Sequence, residues 1–128
     1  MIQPTIFLLE DDDDTRPIFK ELLIKKGYKV ILAVDQNDAL QRANDGLVKS
    51  DLILVNLVGK SEEEALIFGR RLRQNGKPNT PLIIIAAKYS EELEGTIAQV
   101  GENEYVVYLG TGEEFLDLLS SLTKTKPS

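Results

Sequence analysis

Five short apolar runs, separated by stretches with helical periodicity, constrain this chain more than any other feature. They predict strands at Thr5–Leu9, Val30–Ala33, Leu52–Leu57, Leu82–Ala86 and Tyr105–Tyr108. Several are continuous Ile/Leu/Val runs without polar alternation, the pattern of strands buried on both faces. Helices are predicted between and after them. The first covers Pro17–Lys26 and stops at Gly27. The second starts near Asp35 and reaches about Asn44, with Ala39, Leu40 and Ala43 on one side. A third begins at Ser61, where Ser61 and Glu64 have capping-box spacing, and ends near Asn75-Gly76. The fourth follows Ser90, because Leu93, Ile97 and Val100 recur at helical spacing. The last follows Thr111, where Thr111 and Glu114 repeat the capping box and Phe115, Leu118, Leu119 and Leu122 form the buried stripe. Strict alternation of strand and helix implies parallel strands joined by crossovers, hence an α/β sheet with helices on both faces. Such a sheet places its site at the carboxyl ends of its strands.

A run of five acids, Glu10-Asp11-Asp12-Asp13-Asp14, follows the first strand directly. Adjacent carboxylates repel, so a cation or a helix N-terminus must compensate them. Pro17 and the apolar residues after it supply the helix, which assigns Asp13 or Asp14 to its cap and Asp12 to the turn. Glu10 and Asp11 lie nearer the strand end and remain as candidate metal ligands. Asn56, near the end of the third strand, converges on them if strands one and three are neighbours.

Composition narrows the chemistry. The 128 residues fit one domain with a real core, residues 1–128 with the packed part at about 5–122. A net charge of −6 argues against non-specific nucleic-acid binding. There is no cysteine, which excludes disulfides and thiolate chemistry and suits a cytoplasmic home. There is no histidine, which removes the usual general base. No segment approaches the roughly 18 apolar residues of a membrane span. No repeat, linker or output domain is evident, so any effect is expected to pass through a partner or through self-association.

The chain resembles the receiver domain of two-component response regulators, a flavodoxin-like (βα)5 three-layer sandwich with a five-stranded parallel sheet. The motifs that carry the resemblance are Ile6-Phe7-Leu8-Leu9-Glu10-Asp11-Asp12, Gly27-Tyr28-Lys29-Val30, Asp51-Leu52-Ile53-Leu54-Val55-Asn56-Leu57, Pro81-Leu82-Ile83-Ile84-Ile85-Ala86-Ala87 and Glu104-Tyr105-Val106-Val107-Tyr108. Together they span about Thr5 to Leu122. The resemblance implies a phosphoryl-accepting aspartate after the third strand, two acids holding Mg²⁺, a hydroxyl after the fourth strand and a lysine after the fifth. Phosphoryl transfer needs such an oxygen nucleophile, a metal and positive charge on the moving oxygens.

Only the acid pair, Glu10 and Asp11, is kept. Asn56 stands at the nucleophile position, Ala86 where the hydroxyl belongs, and Tyr108 where the lysine belongs. Leu109 replaces the usual proline, and Gly59-Lys60 departs from the usual Met-Pro. The family site carries three carboxylates and one lysine, a formal −2. Glu10 and Asp11 alone also give −2, so the substitutions compensate one another. The expectation is an atypical, phosphorylation-independent receiver. It needs no cofactor, binds Mg²⁺ weakly if at all, is not an enzyme, and acts by protein–protein contact.

In receivers the signalling face combines the fourth helix, fifth strand and fifth helix. Tyr105 matches the switch aromatic of that face, and Ala86 deprives it of its driving hydroxyl. The face is acidic, with Glu91, Glu92, Glu94, Glu102, Glu104, Glu113 and Glu114, which suits a basic partner surface. The expected partner is another signalling protein, a histidine kinase or an output protein, with a homodimer as a further arrangement; neither nucleic acid nor membrane is expected. Two alternatives are set beside this reading. One is a conventional phosphorylatable regulator. The remote one is a haloacid-dehalogenase-like phosphatase, prompted by the Asp-x-Asp-x-Thr match at Asp11, Asp13 and Thr15.

Overall fold

The structure is a computed structural model and describes residues 3–46 and 49–123. Its elements are β1 (Thr5–Glu10), α1 (Thr15–Lys25), β2 (Lys29–Ala33), α2 (Gln36–Asn44), β3 (Leu52–Asn56), α3 (Glu62–Arg73), β4 (Leu82–Ile85), β5 (Ile97–Gly101), β6 (Glu104–Val107) and α4 (Glu114–Thr123). The strands form one sheet in the order β2-β1-β3-β4-β6-β5. All neighbours run parallel except β5 and β6, which are antiparallel. The α/β architecture is therefore as the alternation of elements predicted, and its flavodoxin-like form as the resemblance implied.

The continuous apolar runs account for its centre. Every residue of β3 is buried, and Ile6–Leu9 of β1 are fully so. Alternate side chains feed two cores. Phe7, Leu9, Ile53, Val55 and Ile84 meet Ala39, Ala43, Ala65, Phe68 and Leu72 of α2 and α3. Ile6, Leu8, Leu54, Ile83 and Val107 meet Phe19, Leu23, Phe115 and Leu119 of α1 and α4. Phe19 and Phe115 close the second core edge-to-face, with ring centroids 5.7 Å apart. On the other side Gly69 of α3 lies so close to β4 that an added Cβ would sit 2.7 Å from Leu82 Cδ1.

Three expectations need correction. The fourth helix does not form. A single 3-10 turn at Glu91–Leu93 leads into β5, so the sheet has six strands where five parallel ones were expected. The reason is local. Gly95 takes φ 80° and breaks a helix at its second turn. Thr96, Ile97 and Val100 are β-branched and favour a pleated surface. Asn103, at φ 58°, then turns the chain back into β6. The spacing of Leu93, Ile97 and Val100 coincides with a helical period without producing a helix.

The second correction concerns α1. Asp14 occupies its N-cap but makes no side-chain cap bond. Asp12 does that work, with Oδ2 accepting from the Thr15 N–H at 2.8 Å. The third concerns α4, which starts at Glu114, so Glu113 and not Thr111 precedes it. The Ser61–Glu64 capping box is present in both directions at 3.1 Å.

Candidate functional site at the carboxyl ends of the strands

β1 and β3 are paired so that Glu10 lies directly beside Asn56. Both side chains point into the sheet end, and Glu10 is 0% exposed. The Asn56 Nδ2–H donates to Glu10 Oε1 at 2.7 Å. The Asp12 N–H donates to Glu10 Oε2 at 3.2 Å. A carboxylate only accepts, so the amide must turn its nitrogen, not its oxygen, toward Glu10. Burial pushes the Glu10 carboxyl above its usual range. The two N–H donors oppose that shift, and the Asp11 and Asp12 charges add to it.

Asp11 is turned differently. Its Oδ1 accepts from the Val58 N–H at 2.9 Å and so ties the acid run to the loop after β3. Arg16, whose part the sequence did not reveal, closes the other flank. Its Nε donates to the Glu10 carbonyl at 2.8 Å, and the same guanidinium reaches Asp13 at 2.8 Å and the Val34 carbonyl at 3.4 Å. The side chain that stabilises the acid run thus comes from within the chain, in the first turn of α1. An Arg six residues after Glu10 was the available signal.

Ala86 is buried at the end of β4, where its N–H donates to the Val107 carbonyl at 3.0 Å. Its methyl offers no hydrogen bond to the site. Tyr108 is buried after β6, and its hydroxyl donates to Glu62 Oε2 at 3.3 Å. Burial first, then the Glu62 carboxylate, raises the phenol above its usual range, so it stays a neutral donor. Its ring meets Tyr89 edge-to-face at 5.5 Å, and the Tyr89 hydroxyl donates to the Leu109 carbonyl. The Tyr108 backbone is held as well: its N–H donates to the Thr96 carbonyl at 3.0 Å, and its carbonyl accepts from the Gly95 N–H at 2.7 Å. Glu62 and Tyr89 were not singled out from the sequence. Neither lies in an apolar run, and only the fold brings them to Tyr108.

Tyr105 does not join this cluster. It sits on β6, half-buried, between Ile83 of β4 and Gln99 of β5, and packs with the α1/α4 core. Glu104 is withdrawn from the acidic face expected of it. It is buried at the opposite end of β6, between Arg70 and Arg73 of α3, with nitrogen–oxygen distances of 2.7 and 2.5 Å. The Arg70 hydrogen bond is the main cause that holds its carboxyl below the usual range, against the penalty of burial.

The donor set does not fit Mg²⁺. A hard cation needs converging oxygens, yet both Glu10 oxygens face N–H donors and Asp11 is bound to the backbone. Among the described residues no group of three or more acids is placed to hold a metal ion. A cleft of about 610 Å³ opens beside Glu62, between Gly59–Glu63 and Ala87-Lys88. The one hydroxyl on its rim is Ser61, which is already the cap of α3.

No protein-family profile matches the chain. Among curated proteins it is 31% identical over 113 residues to the uncharacterised transcriptional regulatory protein YrkP of Bacillus subtilis, covering 85% of this chain and 45% of that protein. It is 30% identical over 101 residues to the transcriptional regulatory protein CpxR of Escherichia coli K12, covering 79% and 41%. The chain therefore spans less than half the length of these relatives. Among solved structures, a response regulator from Thermotoga maritima matches with TM-score 0.67 and 21% identity over 97% of this chain and all of that one. The receiver domain of a Pseudomonas aeruginosa sensor histidine kinase, which holds a magnesium ion in its active-site cleft, matches with TM-score 0.65 and 20% identity over 97% of this chain and all of that one. The order of strands, the acid pair after β1 and these relatives agree: the chain belongs to the receiver domains of two-component response regulators.

Proposed function

We propose that this receiver domain works without aspartyl phosphorylation and signals by protein–protein contact. The observation that carries the reading is the Asn56–Glu10 hydrogen bond. An amide donates where the family reaction needs an anionic oxygen, and it occupies the carboxylate oxygen that a metal would use. Ala86 and Tyr108 supply neither the hydroxyl nor the cation for a moving phosphoryl group. Glu62 engages the Tyr108 hydroxyl instead. The chain acts as a binding module and not as an enzyme. Against the phosphatase alternative stand the engagement of Asp11 Oδ1 by the Val58 N–H and the pairing of Asp13 with Arg16. A histidine kinase or an output protein is the partner this family reading implies, in the cytoplasm. No helix of the described residues is long and apolar enough to cross a membrane.

The test is incubation with a small phosphodonor and Mg²⁺, followed by intact-mass measurement. The expected result is no stable gain of a phosphoryl group. A gain that Asn56→Ala abolishes would restore the conventional regulator. Titration with Mg²⁺ is expected to show no sub-millimolar site.

A further inference from the structure

β5 ends the sheet. Its inner side pairs with β6, and no further strand lies beyond it among the described residues. Its register sets Ala98 opposite Val106, and the Tyr108 N–H donates to the Thr96 carbonyl. In an antiparallel ladder the direction of the backbone groups alternates. Thr96 and Ala98 therefore face β6, while Ile97 and Gln99 turn their N–H and C=O groups outward. Sheet edges are usually guarded by charge, proline or a covering helix. Thr96–Gly101 contains no charged residue and no proline, and Gln99 and Val100 are exposed. The one local guard is weak: the Gln99 side chain donates to the Gly101 carbonyl at 3.2 Å.

The surroundings say what this edge would accept. No Lys or Arg occurs from Ser90 to Glu104. Glu91, Glu92 and Glu94 precede the strand and Glu102 follows it, all exposed, whereas Glu104 is neutralised by Arg70 and Arg73. The edge is thus an uncharged ladder with acid at both ends. A second copy fits it poorly. Antiparallel pairing of β5 with a second copy brings the acids that precede one strand, Glu91, Glu92 and Glu94, toward the Glu102 that follows the other, at both ends. Like charges opposed in this way weaken a strand pair.

We infer that β5 is a docking edge for an extended segment of a partner protein, uncharged in its middle and carrying Lys or Arg at both flanks. The segment adds a seventh strand through the outward groups of Ile97 and Gln99, and the flanking acids set its preference. This inference is independent of the chemistry at Asn56.

The probe is a fluorescein-labelled, end-blocked peptide, Lys-Arg-Thr-Val-Thr-Val-Thr-Val-Arg-Lys, titrated with the full chain and read by anisotropy. A control peptide has Glu and Asp in place of its basic residues. Saturable binding of the basic peptide alone, weakening as salt rises, is expected. Gln99→Pro removes an outward N–H without touching the β6 ladder, so its melting should be retained while binding falls at least about tenfold. The double variant Glu94→Lys with Glu102→Lys should shift preference to the acidic peptide. The inference is overturned if neither peptide binds, if both bind equally, or if the double variant leaves the preference unchanged. A sedimentation-detected dimer that Gln99→Pro dissolves would also overturn it, in favour of a second copy.

Discussion

Asn56 stands between one acceptor and one strand neighbour, and its replacement has a definite sign. Asn56→Asp would set a second carboxylate against the fully buried Glu10 and remove the 2.7 Å donor. Two carboxyls in one buried site cannot both ionise freely. The variant is expected to lose about 2 kcal/mol at neutral pH and to regain part of it in millimolar Mg²⁺, with chemical denaturation as the measurement. Glu10→Gln goes the other way. The Glu10 carboxyl is raised by burial, so the folded state holds its proton more tightly than the unfolded chain does. Stability from this group is greatest at low pH and falls as pH rises from its ordinary value through the raised one. The neutral variant should therefore lack this decline, while its amide nitrogen leaves one acceptor fewer for the Asn56 and Asp12 N–H groups at every pH. Tyr108→Phe removes only the 3.3 Å bond to half-exposed Glu62 and should cost about 1 kcal/mol or less.

Among elements, expectation and structure part between Glu91 and Glu104, where a 3-10 turn and β5 replace a helix. β1, β3 and β4 were legible because an unbroken apolar run at that length has few other uses. Asn56, Ala86 and Tyr108 were placed at strand ends because they close such runs; only the resemblance marked them as departures. The fourth helix was misread because Leu93, Ile97 and Val100 satisfy a helical period by coincidence, while Gly95 and the β-branched residues favoured a strand. Glu62 and Tyr89 could not be read at all, since their roles depend on which segments the sheet brings together, whereas Arg16 left a local signal in its spacing from the acid run. Gly95→Ala tests the revised account. At φ 80° an added Cβ strains the backbone, so a loss of about 1 kcal/mol is expected. A helical segment there would instead gain from alanine. Thermal unfolding separates the two.

Across the whole molecule two buried acids, at opposite ends of the sheet, give opposite pH responses. Glu104 is held below its usual range by Arg70 and Arg73, so it contributes stability above its unfolded value and loses it as pH falls through the lowered one. Glu104→Gln should cost roughly 2–3 kcal/mol at neutral pH and little in acid, as read from denaturation midpoints across pH. The variant at Glu10 should show the reverse trend. At each end of the sheet, then, a buried acid is met by donors from the chain itself: Arg70 and Arg73 at Glu104, and the Asn56 amide at Glu10.

The β5–β6 hairpin also bears on how the chain folds. Every other strand pair in the sheet closes a long crossover, whereas this one closes through Glu102 and Asn103. Hairpins form in about 1–10 μs, and non-local pairings set the slower steps. β6 can thus meet β4 as half of a preformed ribbon, and Leu82 is received by the Asn103 carbonyl at 2.8 Å at that turn. A segment that would need α3 and β4 in place to stabilise a helix instead carries its own early folding unit.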